Sequence, residues 1–316
     1  MLLLLAGRTK GKYKQAMKTI ASVSLAEPLD TFSQALGQSF EEYGFAIIRD
    51  HGIPQDLIDA AEAASRAFFA LPEQVKRQYH LAGTGGARGY TPFGVEKAKD
   101  ATARDLKEFW HVGRSLPPGD ALEPFMPPNV WPAEVPQFRE TFEALFAAFE
   151  TSGARILSAI ALHLGLDEHF FDATVDKGNS VLRLLHYPPV AEAREGEIRA
   201  AAHGDINTIT LLLGAEEAGL QLLTRQGEWL PVSPPLGALA VNIGDMLERL
   251  TAGRLPSTLH RVVNPVGDAA RRARYSMPFF LHFRPDYMID PLYEGGEAPI
   301  SAHDFLMQRL REINLA

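Results

Sequence analysis

The chain contains no cysteine. That absence removes disulfides, zinc–thiolate sites, iron–sulfur clusters and thiol catalysis together, so any metal must be held by His, Asp or Glu. A basic tract is missing too. Lys and Arg total 31 against 39 Asp and Glu, giving a net charge of −8 and a pI near 5.7. A mildly acidic chain without a Lys/Arg run has no electrostatic reason to seek nucleic acid or anionic lipid, and neither is expected as a partner. No segment approaches the roughly 18 unbroken apolar residues of a membrane span. The leucines of MLLLL are too few for the apolar region of a signal peptide, and the basic residues follow rather than precede them. Residues 1–21 therefore read as a flexible tail, with Met1 or Met17 as the start and the cytoplasm as the expected location. Internal repeats are absent, and oligomeric state is not legible.

What is present is a globular composition of 316 residues, 46% hydrophobic and 22% charged, long enough for a sizeable core. DTFSQALGQSFEEYG (30–44) has helical spacing through Phe32, Leu36 and Phe40, with Gly44 to close it. FAIIRD (45–50) reads as a short strand. Pro54 opens a helical face through Leu57, Ala61, Ala64, Phe68 and Phe69, and Pro72 ends it. Residues 81–130 are rich in Gly and Pro and read as a wrapping loop with short strands. The longest helical pattern, 136–166, carries Phe138, Phe142, Leu145, Phe149, Ile156 and Ile160 near one stripe.

After residue 178 short β-like runs follow one another: 181–187, 206–213, 220–224, 228–232, 238–243, 257–263 and 275–283. A C-terminal helix is expected over about 301–313. Helices followed by short regular strands predict an antiparallel sandwich or barrel capped by helices. The expected organisation is an α-rich N-terminal region (22–130), a long supporting helix (131–175), a β core (176–290) and the C-terminal segment (291–316).

AAHGDINTITLLL (201–213) places His203 and Asp205 at the entrance to one of these runs. In an extended segment, side chains at i and i+2 point the same way, so both can aim at one point, which Gly204 and the alanines leave uncrowded. By itself His-x-Asp is weak, since a chain of this composition yields about half such a pair by chance. A capping Asp beside a surface His accounts for it equally.

His260 supplies context. It lies in the strand-like STLHRVV, after a turn-rich connection that lets the strand return alongside the first. Two imidazoles and one carboxylate then occupy one face of an octahedron and leave three positions open, the arrangement of non-haem Fe(II) oxygenases. Zinc remains the alternative metal, and a buried imidazole bonded to a carbonyl remains the alternative for His260. His51, His163, His169 and His303 read as structural or solvated.

Three open positions suit a bidentate cosubstrate plus O2. If that cosubstrate is a dicarboxylate, a guanidinium fork is the natural partner for its far end. RRARYSMPFF (271–280) offers Arg274 and Ser276 on one face of a strand that turns apolar, while Arg271 and Arg272 read as solvated. An arginine entering an apolar strand needs a buried anion, either a ligand or an internal carboxylate.

At this point the chain resembles a known family. HGD, STLHRVVNP and RYSMPFF, in order with YGFAIIRDHGIP, FFALPEQVK, ARGYTPFG, KEFW and NIGDMLERLTAGR, are similar to the isopenicillin N synthase-like Fe(II)/2-oxoglutarate-dependent dioxygenases, in a bacterial form, from about residue 22 to 290. The resemblance implies a mainly β fold, a double-stranded β-helix (jelly-roll) core with an α-rich N-terminal region. It implies His203, Asp205 and His260 as Fe(II) ligands, with Arg274 and Ser276 on the distal carboxylate of 2-oxoglutarate. LRLLHYPP matches the strand that often supplies a tyrosine there, here Tyr187. Arg183 shares its parity and either faces cosubstrate or substrate or makes a structural ion pair.

The stretch from His260 to Arg274 is longer than is common in the family and reads as an extended hairpin loop, which leaves 271, 272 and 274 as alternatives for the inward arginine. The implied activity oxidises a small organic substrate by hydroxylation, desaturation or ring closure, with O2, releasing succinate and CO2. The alternatives are a same-fold Fe(II) oxidase that does not use 2-oxoglutarate, an ethylene-forming 2-oxoglutarate enzyme, and a non-catalytic metal or 2-oxoglutarate sensor. The prime substrate is not readable from the sequence.

Overall fold

The computed structural model describes residues 19–82, 86–95, 107–189, 198–213 and 219–312. The expected tail lies outside them up to residue 18. In the N-terminal half, strand β1 (Ser22–Ser24) leads into α1 (Leu29–Tyr43), β2 (Phe45–Arg49), α2 (Gln55–Phe69) and the short α3 (Glu73–Lys76). Strands β3 (Gly89–Thr91) and β4 (Glu108–Gly113) follow, then the long α4 (Phe138–His163) and the single turn α5 (Asp172–Val175). The β-rich half holds β5 (Val181–Tyr187), β6 (Ala200–His203), β7 (Ile209–Leu213), β8 (Leu220–Leu223), β9 (Trp229–Pro231) and β10 (Leu239–Ile243). After α6 (Asp245–Leu250) come β11 (His260–Val262), β12 (Arg274–Ser276) and β13 (Pro278–Leu281). The chain closes with β14 (Met288–Ile289), β15 (Ile300–Ser301) and α7 (Ala302–Glu312).

The strands form two principal sheets. The larger runs β1-β2-β10-β7-β13-β5-β4-β3, with β12 also paired to β5; the smaller runs β6-β11-β8-β9. This is the double-stranded β-helix core with flanking helices. The N-terminal strands are part of it, since β2 pairs with β10 and β4 with β5.

The outer face of the large sheet is apolar and covered by helices. Leu182, Leu184, Leu211, Val241 and Phe279 join Phe142, Phe146 and Phe149 of α4 in one buried cluster, and the Phe149 and Phe279 rings stack 5.1 Å apart. The 26-residue α4 is long and apolar enough to cross a membrane by length and composition. Its apolar stripe is instead buried against the sheet and against α1 and α2. Between the sheets a second cluster joins Phe45 and Ala240 of the large sheet to Ala200, Leu220, Leu222 and Val262 of the small one. That packing closes one end of the inner face. The other end carries polar side chains.

The structure departs from expectation in three places that bear on the site. The strand expected over 206–213 begins only at Ile209, and His203 belongs to a separate strand, β6, in the other sheet. β6 ends at His203, Gly204 and Asp205 follow outside any strand, and the chain bends at 206–208; His203 and Asp205 still converge on one point. The run 275–283 is two strands interrupted at Met277, both paired to β5. The connection from His260 to Arg274 is no hairpin, because β11 lies in the small sheet and β12 in the large one; a 3₁₀ turn at Gly267–Arg271 makes the crossing.

Candidate metal centre

β6 and β11 pair antiparallel with His203 directly opposite His260, which sets the two imidazole centroids 4.4 Å apart. Asp205 follows through a loop docked on the start of α6, where the Asp245 N–H donates to the Asp205 carbonyl (2.8 Å). Gly244 makes that docking possible, since a Cβ there would stand 2.1 Å from the Asn207 carbonyl oxygen. Nε2 of His203 lies 4.0 Å from Oδ1 of Asp205, and Nε2 of His260 lies 3.8 Å from Oδ2. The ligating atoms of all three fall within 4.8 Å of one another. These separations are too long for hydrogen bonds and short enough for one ion to sit between them.

Each donor is aimed by a partner. Nδ1 of His203 faces the Ala201 carbonyl (2.7 Å), and Nδ1 of His260 faces the Thr258 carbonyl (3.2 Å). Carbonyls only accept, so Nδ1 carries the proton and Nε2 turns its lone pair to the gap. Oδ2 of Asp205 accepts from Thr210 Oγ1 (2.6 Å) and Asn242 Nδ2 (2.8 Å), which leaves Oδ1 open.

Burial tends to raise the Asp205 carboxyl, but the two histidines and these hydrogen bonds outweigh it and hold the group below the usual carboxylate range. Desolvation and the neighbouring His260 push His203 down to about 4, so it is neutral at pH 7. Two imidazoles that turn Nε2 to one gap and one carboxylate, all buried or half-buried, are a donor set that fits a divalent ion with positions left free.

Second partners of this kind typically carry about 10–100-fold of metal affinity. Asn242→Ala is expected to weaken Fe(II) binding by about that factor while the fold persists, read by anaerobic Fe(II) titration. Unchanged affinity would show that Asn242 does not orient Asp205.

The remaining sequence-singled residues lie on one inner face. Arg274 is opposite Tyr187 and Ser276 opposite Leu185, and the Arg274 guanidinium carbon stands 5.2 Å from the Tyr187 ring centroid. Arg274 and Ser276 are buried, whereas Arg271 and Arg272 are exposed, so 274 is the inward arginine of the three. Arg183 shares this face. Its Nε donates to His111 Nε2 (2.6 Å) and its guanidinium lies over the Phe109 and Phe280 rings.

Two family models match the chain. One describes the non-haem dioxygenase in morphine synthesis N-terminal region, over residues 20–134; the other describes the 2OG-Fe(II) oxygenase superfamily, over 178–283. A 2-oxoglutarate-Fe(II) type oxidoreductase, hxnY, of Emericella nidulans is 36% identical over 282 residues, covering 84% of this chain and 79% of that protein. The chain belongs to the 2OG-Fe(II) oxygenase superfamily.

Solved structures agree. A 2OG-Fe(II) oxygenase family protein from Caulobacter crescentus is 54% identical, with a TM-score of 0.87 over 93% of this chain and 99% of that one. A full-length Neurospora crassa protein solved in complex with alpha-KG is 28% identical, with a TM-score of 0.83 over 95% and 97%. This oxygenase is accordingly a 2-oxoglutarate-dependent dioxygenase that uses Fe(II) and O2.

Several residues around the oxygenase centre had no signal in the sequence. Phe45, the first residue of β2, meets the His260 ring edge-on at 5.6 Å. Gly44 (φ 65°) lets the His260 loop approach, because a Cβ there would stand 2.4 Å from the Pro256 carbonyl oxygen. Arg199 is fully buried, with its guanidinium carbon 6.0 Å from the Tyr187 centroid. His111 and His282 lie on the inner face, and burial pushes His282 down to about 4. Arg199, His111 and His282 belong to no motif singled out in the sequence, while Gly44 and Phe45, within YGFAIIRDHGIP, read only as a helix end and the start of a strand. ARGYTPFG alone could have pointed to this end of the pocket, through Arg88.

Proposed function

We propose that His203, Asp205 and His260 hold Fe(II), and that Arg274, Ser276 and Tyr187 hold the distal carboxylate of 2-oxoglutarate. The observation that carries this reading is the aiming of the three donors, with both Nδ1 atoms and one carboxylate oxygen already engaged. Bound Fe(II), with 2-oxoglutarate and O2, supplies oxidative decarboxylation to succinate and CO2 and the oxidising power to remove hydrogen from a substrate C–H bond. The chain supplies position and dryness. The Arg274 fork pairs with a carboxylate in a buried site, and Ser276 and Tyr187 donate O–H bonds to the same group. The apolar packing of Phe45, Ala240 and Leu222 keeps water from the closed end.

The prime substrate is a small organic molecule lodged on the inner face among Phe109, His111, Arg183 and Phe280. Relatives support that size: one structure of the Neurospora crassa protein holds thymine, and a JOX2 structure holds JA. The shared motifs and the Caulobacter relative support the finer kinship, a bacterial member of the isopenicillin N synthase-like group. A reducing compartment such as the cytoplasm suits a cysteine-free Fe(II) enzyme.

The test is turnover. With Fe(II), 2-oxoglutarate and O2, the protein is expected to form succinate in step with O2 consumed, even slowly without substrate. Anaerobic addition of 2-oxoglutarate to the Fe(II) form should produce a metal-to-ligand charge-transfer band. No band and no succinate would overturn the assignment and favour a same-fold oxidase or a binding protein.

A further inference from the structure

The inner face carries a further buried cation far from Arg274. Arg88 is 2% exposed. Its Nη1 donates to the Ala87 carbonyl (2.7 Å), while Nε and Nη2 are buried with no hydrogen-bond partner. Burial alone lowers its affinity for the proton, to about 10, and no neighbouring carboxylate opposes this. Among the described residues nothing balances the charge. Nε and Nη2 form the side-on edge of a guanidinium, whose two parallel N–H bonds match a carboxylate.

Register places this guanidinium on the inner face. Gly113, Val181, Phe280, Thr210 and Asn242 form one row of partners across β4, β5, β13, β7 and β10. Directly opposed residues share a face. At the far end of that row Thr210 and Asn242 hold the Asp205 carboxylate. At the near end the Arg88 guanidinium lies against the bare Gly113, where a Cβ would stand 1.9 Å from its Cζ. Gly86, just before it, is tied to the same face by its carbonyl, which accepts from His111 Nδ1 (2.6 Å).

His282, between the two ends, feels the charge of both Asp205 and Arg88. Gly113 and Thr210 are three strand spacings apart, about 14 Å along the sheet, so the guanidinium and the metal site stand at opposite ends of one row. Arg274 is elsewhere, opposite Tyr187, six residues or about 20 Å along β5 from Val181. Arg88 is thus not a second choice for holding 2-oxoglutarate.

We propose that Arg88 is a specificity-determining residue that binds a carboxylate of the prime substrate, so that the oxygenase acts on small organic acids. The reading rests on the Fe(II)/2-oxoglutarate assignment above and adds the substrate class. Gly113 belongs to the same device, because any side chain there displaces the guanidinium. The fork holds the acid end, and the carbon chain or ring reaches along the Phe280 row toward His203 and His260.

The test uses the anaerobic Fe(II) protein saturated with 2-oxoglutarate, so that Arg274 is occupied. Benzoate, phenylacetate and hexanoate are titrated against their uncharged amides, following the charge-transfer band and the melting temperature. At least one carboxylate is expected to bind 10-fold or more tighter than its amide. Arg88→Gln should abolish that preference but keep the band, the 2-oxoglutarate affinity and the slow succinate formation. Gly113→Ala should do the same without removing the charge, which keeps the idea testable if Arg88→Gln folds poorly. The absence of a carboxylate preference in the wild type, or its survival in both variants, would overturn the proposal. Absence of the charge-transfer band in the wild type would overturn the cofactor assignment instead.

Discussion

His203→Ala is expected to lose Fe(II) loading and succinate formation together while the circular dichroism spectrum stays native. The effect should exceed the roughly 100-fold that supporting residues carry, because one of only three protein donors disappears. The fold should survive for a structural reason. His203 ends its strand, and its side chain is 39% exposed, so truncation opens little cavity. His260→Ala should abolish loading equally but cost more stability, since that ring is buried against Phe45. His260→Gln, closer in volume, separates the two effects. Wild-type iron stoichiometry with normal turnover in either alanine variant would remove the residue from the ligand set.

Arg274→Ala is expected to raise the KM for 2-oxoglutarate by about 100-fold, corresponding to the roughly 3 kcal/mol of a charge-assisted hydrogen bond at the strong end of its range. At saturating 2-oxoglutarate the turnover number should fall much less, because the guanidinium binds the end of the cosubstrate remote from the chemistry. Arg274→Lys should recover only part of the affinity, since an ammonium offers charge without the planar fork. Fe(II) binding without 2-oxoglutarate should be untouched. An unchanged KM would redirect attention to Arg199, the other guanidinium beside Tyr187.

The helices were legible because their signal is local. Phe32, Leu36 and Phe40 recur at helical spacing, and the same residues are buried in α1; the stripe of α4 behaves likewise. Most core strands could be read from short apolar runs. β6 could not, since four residues reading AAAH carry neither alternation nor bulk. The convergence of His203 and Asp205 on one point was legible, because only Gly204 separates them. The bend at 206–208 that separates β6 from β7 carried no such signal.

The three donor types, the absence of thiols, and the candidate set His203, Asp205, His260 and Arg274 were determined by the sequence itself, because residue chemistry does not depend on folding. Tertiary structure alone decided that His203 faces His260 across a ladder, that Thr210 and Asn242 grip Asp205, and that 274 rather than 271 or 272 turns inward. It also decided that Arg88 stands over Gly113 at the end of the row leading to the metal. These are facts of strand register and sheet membership. They are set by which distant segments pair, and no local pattern of apolar and polar residues encodes that choice.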